Sequence, residues 1–396
     1  MRAVPSRPLF LLCAALTSLP APSAVAAPYT PASDAQVLEQ VPARASDPAA
    51  REMVALRQAW RSDPQDLAAA LRLAERYFDE VAATGDPRYI GYAQAALQPW
   101  WAMPAPPPAV RVLRAMLLQF DHQFAPALAD LEAALAADPA DARAWSWQLA
   151  IQMVLADYPA ARASCQRLQP LAPALVGAAC QAQLDAVSGR AATAAAALGR
   201  ALQQPEASVA QRLWSLTRLA ETEERLGHWA AAEDAFKQAL ALGQSDVYLQ
   251  AAMADFLLDR GRAREVLALL QGRGRADVLL LRLALAARAA KDAAAPRHAD
   301  ELAARFDAAR QRGDTSHRKE EARFLLALRG DAPAALKLAR QNWAEQREPA
   351  DARVLLEAAL AARDAAAAAP VLQWLADSGI ESVALHALAA ELKGQR

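Results

Sequence analysis

The chain has 396 residues, a formal net charge of −1, 55% hydrophobic residues and only 14 glycines. A near-neutral balance with no run of five or six like charges argues against a nucleic-acid surface, which carries a basic excess. Few glycines and many alanines favour helix, because alanine has the best intrinsic helix propensity.

The chain opens on a targeting pattern. Arg2 and Arg7 give a positive start, Leu9 to Leu19 an apolar core, and Ala24-Val25-Ala26 a small-residue cleavage site. Residues 1–26 therefore read as a secretory signal, with Ala27 the first mature residue. The apolar core is too short to span a bilayer, and no later apolar stretch of spanning length is free of charge. The mature chain is expected to be exported without a membrane span, to the periplasm first and the medium as the alternative. Cys13 follows Leu12 rather than a small residue, so it is expected to leave with the signal and not to carry lipid.

Residues 27–46 hold Pro28, Pro31 and Pro42 and read as a flexible leader with a short helix around Asp34 to Gln40. A helix with Met53, Leu56 and Trp60 on one face runs from Asp47-Pro48 to Asp63-Pro64. Asp66 to Ala83 and Tyr89 to Leu97 form a first, atypical pair broken at Gly85-Asp86-Pro87. Residues 99–108 contain Trp100, Trp101 and the prolines 104, 106, 107 and 108, a density of proline that no helix interior tolerates. The tryptophan pair is either an aromatic docking surface or folded onto the end of the helix pair, and the second reading is preferred. A regular array follows over residues 110–275. Less regular helices are predicted beyond it, over residues 276–396: Asp277 to Ala290, Arg297 to Arg312, Lys319 to Leu328, Ala332 to Gln346, Ala352 to Ala362, Ala365 to Asp377, and a closing helix from Ser382 to Lys393.

Residues 214–244 are the clearest unit. Leu216, Leu219, Ala220 and Leu226 share one helical face, Gly227-His228 breaks the pattern, and Trp229, Ala232, Phe236, Ala239 and Leu240 share the next. Gly261 lies 34 residues beyond Gly227, and Gly189, Ala156 and His122 fall at equivalent upstream turns, at steps of 38, 33 and 34 residues. Such a period marks helix pairs that bury their apolar faces by stacking.

These residues resemble the tetratricopeptide repeat, with Ala232, Phe236 and Ala239 in its second-helix positions. Other copies supply Ala115, Ala127, Leu131, Ala134 and Pro139, and then Trp145, Tyr158, Ala161 and Pro173, while Glu223 and Gln244 depart from the usual Tyr and Pro. The resemblance implies an all-α, right-handed α-solenoid of antiparallel helix pairs whose first helices line a concave, peptide-binding face. Counted from the match, the groove-facing candidates are Trp214, Thr217, Glu221, Glu224 and Arg225, then Tyr248, Ala251, Asp255, Leu258 and Asp259. This patch is acidic with two aromatic anchors, so a basic or aromatic segment is the expected partner. It lacks the Lys, Arg and Asn of the family's carboxylate clamp. Cys165 falls in the second helix of one repeat and Cys180 in the first of the next, antiparallel neighbours that can form a disulfide in an exported protein; two buried thiols are the alternative.

No reaction is legible. The five histidines are scattered without i, i+4 spacing, and no phosphate-binding loop, dinucleotide fingerprint or nucleophile elbow is present. Glu221, Glu223 and Glu224 sit within one helical turn, as an ordinary solvated face would place them, and not across a cleft. The reading is a non-enzymatic exported scaffold that needs no cofactor or metal and binds a protein segment. The alternative is an accessory helical subunit of a cell-envelope or polysaccharide-processing enzyme complex.

Overall fold

The computed structural model of the protein describes residues 47–204, 207–314 and 316–394, so the expected signal, leader and Asp34–Gln40 helix lie outside the described residues. The chain divides into two compact units, residues 1–51 and residues 52–396.

Every regular element among the described residues is helical. α1 (Pro48–Ser62) precedes the pair α2 (Leu67–Thr84) and α3 (Arg88–Ala96), and α4 (Gln98–Trp101) is a single turn. Then come α5 (Pro108–Phe120) with α6 (Phe124–Ala137), α7 (Ala142–Val154) with α8 (Tyr158–Leu168), and α9 (Ala174–Ala186) with α10 (Ala191–Ala201). α11 (Val209–Leu226) pairs with α12 (Trp229–Ala241), α13 (Val247–Asp259) with α14 (Ala263–Leu269), and α15 (Asp277–Ala289) with α16 (Ala295–Gln311). α17 (Arg318–Phe324) runs into a π-helical turn, Leu325–Arg329, before α18 (Ala332–Glu345). α19 (Pro349–Ala361), α20 (Ala369–Ser378) and α21 (Val383–Gly394) complete the array.

Side-chain caps start many of these helices. Asp66, Asp141 and Asp246 accept from backbone N–H groups of the following turn, and Ser208 and Gln211 form a reciprocal capping box at α11. The left-handed residue that closes the first helix of each pair sets the repeat. Gly227 takes φ 81°, and the four other turn positions read from the sequence, His122, Ala156, Gly189 and Gly261, all have φ between 58° and 72°. His122 and Ala156 adopt this conformation against the steric preference of a Cβ, at roughly 1 kcal/mol each. Gly85, Lys291, Gly330 and Arg363 mark the remaining pairs the same way, giving nine hairpins among the described residues.

Packing inside a hairpin relies on small residues. Ala220 of α11 and Ala232 and Ala239 of α12 are fully buried, so the two backbones approach closely, and Phe236 fills the space beyond them. Its ring meets Phe256 of α13 at 5.6 Å between centroids, which carries the core into the next repeat. Burial of a side chain this size stabilises by about 3 kcal/mol. Trp100 is folded inward against Ala70 and Val110, and the carbonyl of Trp101 accepts from Arg114 Nη1 at 2.5 Å. The tryptophan pair therefore packs onto the array, and Trp101 sits on the helical turn α4 where an irregular loop was expected.

Residues far apart in the sequence meet where successive coils of the array touch. Ser245 Oγ donates to the Ala83 carbonyl at 2.9 Å, and a Cβ on Gly85 would come within 2.5 Å of Ala276 Cβ. The Arg347 N–H donates to the Val154 carbonyl at 2.8 Å, Gln346 Nε2 lies 2.9 Å from His122 Nδ1, and the Ala191 N–H donates to Glu381 Oε2 at 2.6 Å. These contacts join residues 162 or more positions apart, so the α13–α21 half of the unit is laid against the α2–α11 half.

Candidate binding surfaces: the inner face and the α18–α20 cleft

The first helices α11, α13, α15, α17 and α19 turn charged residues toward one another. Asp255 on α13 sits between two guanidinium groups. Arg282 of α15 donates through Nε at 3.1 Å, and Arg323 of α17 donates through Nη1 and Nη2 at 3.1 and 3.0 Å. Burial pushes the Asp255 carboxyl up, but the two arginines outweigh it and hold it well below the usual carboxylate range. Asp259, one turn on, accepts from Arg353 of α19 at 2.8 Å, and Arg353 Nε donates to Glu357 at 2.7 Å. At the start of α19, the buried Asp351 accepts from Asn342 Nδ2 and from the Glu348 N–H, both at 2.9 Å, with Lys319 Nζ 3.5 Å away.

The ten groove candidates are thus placed as follows. Glu221 accepts from the Tyr248 hydroxyl and pairs with Arg218 Nη1 at 3.1 Å, while the Arg218 guanidinium lies over the Tyr248 ring at 4.5 Å. Tyr248 keeps 48% of its surface accessible. Arg225 donates to Thr222 Oγ1 and has an Nε with no partner among the described residues. Trp214 and Leu258 are half-buried against the apolar core of this region, and Ala251 lies within it. Thr217 does not face a groove: it is 2% exposed and its hydroxyl donates to the Leu213 carbonyl at 2.8 Å. Asp255 and Asp259 do not stand free for an incoming basic segment, because arginines 27, 68 and 94 residues downstream already hold them. Glu348 and Pro349, at the head of α19, close a cavity of only about 40 Å³ against Arg218, Glu221, Thr222 and Arg225 of α11.

Glu224 is the strained member of this face. Burial, then Asp259 and Glu221, raise its carboxyl to about 7, with Arg260 pulling the other way and Asp255 adding to the rise. An acid whose folded value is raised above its unfolded one favours folding fully below pH 4.5, and that contribution is lost as the pH rises through about 7. Replacing Glu224 by glutamine removes this dependence. The variant is expected to hold its melting temperature between pH 5 and 8 better than the natural chain; parallel slopes for the two proteins would contradict this.

The predicted disulfide partners meet between α8 and α9. Their sulfurs are 2.02 Å apart and their Cα atoms 5.9 Å apart.

A second surface lies outside this face. A cleft of about 640 Å³ opens between the α7–α8 turn, α18 and α20. Tyr158, Trp343 and Trp374 wall it, with Leu355, Ala344, Ala367 and Pro370, and Arg340, Arg347, Gln373 and Asp377 stand around it. The two indoles meet edge to face at 5.4 Å, and Trp374 Nε1 donates to the Tyr158 hydroxyl at 3.1 Å.

No protein-family model and no curated protein matches the sequence. Solved structures do. One is the crystal structure of the APC/C hetero-tetramer Cut9–Hcn1, at 14% identity and a TM-score of 0.48, with 83% of this chain and 63% of that chain covered. This chain thus spans less than two thirds of that protein. A tetratricopeptide repeat protein from Parabacteroides merdae ATCC 43184 is similar at 12% identity and a TM-score of 0.34, over 78% of this chain and 98% of that one. The P58(IPK) TPR domain is similar at 14% identity and a TM-score of 0.21, over 81% and 95%. At these values none of the three informs what this chain binds.

The cleft was not anticipated from the sequence. Tyr158 was read only as a repeat position, and Trp343 and Trp374 lie in the degenerate repeats, where no consensus assigns them a face. Their meeting with Tyr158, across 185 and 216 residues, depends on how the coils are laid together. Among the described residues no cluster of three or more His, Cys, Asp or Glu is arranged to hold a metal ion, and no helix is long and apolar enough to cross a membrane.

Proposed function

We propose that the protein is an exported, non-enzymatic interaction scaffold that holds a segment of another polypeptide in the cleft between α18 and α20. The cleft supports this reading: its volume of about 640 Å³ suits a bound side-chain cluster, and its walls are aromatic with charged groups at the edge. The helix pairs behind it fix the spacing of those walls, so little ordering is needed on binding. The inner face favours it less, since α17 and α19 already engage its carboxylates. Export rests on the pattern over residues 1–26.

A photo-crosslinking residue in place of Gln373, an exposed residue of the cleft, tests the reading in the cells that make the protein. The expected product is a crosslink to another polypeptide outside the cytoplasm, on a chain that begins at Ala27, and it disappears when Ala344→Trp fills the cleft. A crosslink indifferent to that substitution contradicts the docking site. A cytoplasmic chain that still begins at Met1 contradicts export.

A further inference from the structure

We infer that the cleft between α18 and α20 selects an acidic polypeptide segment, one that seats an apolar side chain on the Trp343–Trp374 floor and presents an adjacent Asp or Glu carboxylate to Arg340 and Arg347. The inference rests on the cleft being the docking site proposed above.

Charge is the first argument. Arg340 and Arg347 are both exposed at the cleft, and no carboxylate of the described residues lies within ion-pairing distance of either. The acidic residue that lines the cleft, Asp377, accepts from the Gln373 amide at 2.7 Å. Two cations therefore stand against one carboxylate. The contrast lies within the same protein: Arg282, Arg323 and Arg353 are each held in an ion pair with Asp255 or Asp259. A guanidinium presents a planar fork matched to a carboxylate, so an unpaired pair at one rim favours an anion and disfavours a basic segment.

The second argument is the floor. Trp374 gives its only polar hydrogen to Tyr158, which fixes the indole and leaves its carbon surface toward the cleft. Burial pushes the Tyr158 hydroxyl up to about 12, with the Trp374 hydrogen bond opposing, so the phenol stays neutral and the rim arginines set the local sign. Leu355, Ala344, Ala367 and Pro370 extend the apolar surface. Position is the third argument. The N–H of Arg347 is bonded to the Val154 carbonyl on the opposing coil, so the backbone that carries this guanidinium is held in place before a ligand arrives. A small apolar seat beside a fixed cationic rim reads a carboxylate next to a large apolar side chain.

Selection from a random-sequence peptide library displayed on phage, against the folded mature chain, tests this without assuming the answer. The expected peptides place Asp or Glu beside an aromatic or leucine residue. A synthetic copy should bind the Arg340→Ser, Arg347→Ser double variant at least tenfold more weakly, and should weaken with added salt. Both arginines are exposed and pair with no carboxylate of the described residues, so the variant is expected to melt as the natural chain does. Selected peptides with no acidic preference, whose binding Ala344→Trp still abolishes, overturn the carboxylate inference and leave the docking site standing. Peptides whose binding ignores Ala344→Trp overturn both. Displacement of the synthetic peptide by 3-phenylpropionate at equal molar concentration overturns the assignment to a polypeptide in favour of a free aromatic acid.

Discussion

Replacing Asp255 by asparagine is expected to destabilise the fold by about 3 kcal/mol, because it removes the one carboxylate that bridges two sheltered guanidinium groups across the inner face. The side chains are sheltered: Arg282 is 8% exposed, Arg323 20% and Asp255 27%. An isosteric amide keeps the volume and removes only the charge, so the loss reports electrostatics. Urea unfolding measures it as a lower midpoint at unchanged slope. The same carboxylate gives a pH signature. Its folded value lies below the ordinary one, so its contribution is full at neutral pH and is lost as the pH falls below about 4 toward the folded value. The asparagine variant should lack that acid-side loss. A change within about 0.5 kcal/mol at pH 7 would mean that the two arginines are not held by Asp255.

Opening the Cys165–Cys180 link is expected to cost about 3 kcal/mol in the chain-entropy account, given the 15-residue separation of its ends. The link ties α8 to α9, neighbouring hairpins otherwise joined by a short connection through Pro173. Both side chains are fully buried, so paired serines would add desolvated hydroxyls; paired alanines are the cleaner substitution. The double variant should unfold at lower urea, and the natural chain should move toward it on reduction. Counting thiols in the denatured, unreduced protein is the direct control. None is expected from this pair, and two would show that the cysteines are buried as free thiols.

Local features of the fold were legible because each is written in a short stretch. The left-handed turns at His122, Ala156, Gly189, Gly227 and Gly261 follow from apolar periodicity broken at regular intervals, and the pairing of α11 with α12 follows from Ala220, Ala232 and Phe236. The breaks at Lys291, Gly330 and Arg363 fall between predicted helices, but the 34-residue step does not reach them, because the repeat length drifts there and the consensus residues fade. The inner face was half legible. Its acidity at Glu221, Asp255 and Asp259 could be read, and so could its need for a basic partner. That the partner is this chain's own Arg282, Arg323 and Arg353 could not, since it depends on the coil closing over 27 to 94 residues. Thr217 was assigned to the groove by counting from a degenerate match, and the register of α11 turns its hydroxyl to the helix backbone instead.

α17 and α19 close the inner face by ion pairing, and a double-mutant cycle on Asp255 and Arg323 tests this most directly. With Asp255→Ala, Arg323→Ala and the double variant compared by urea unfolding, a coupling of about 1–3 kcal/mol is expected between residues 68 apart in sequence. Losses that simply add, to within about 0.5 kcal/mol, would contradict it and leave the acidic inner face open to another molecule.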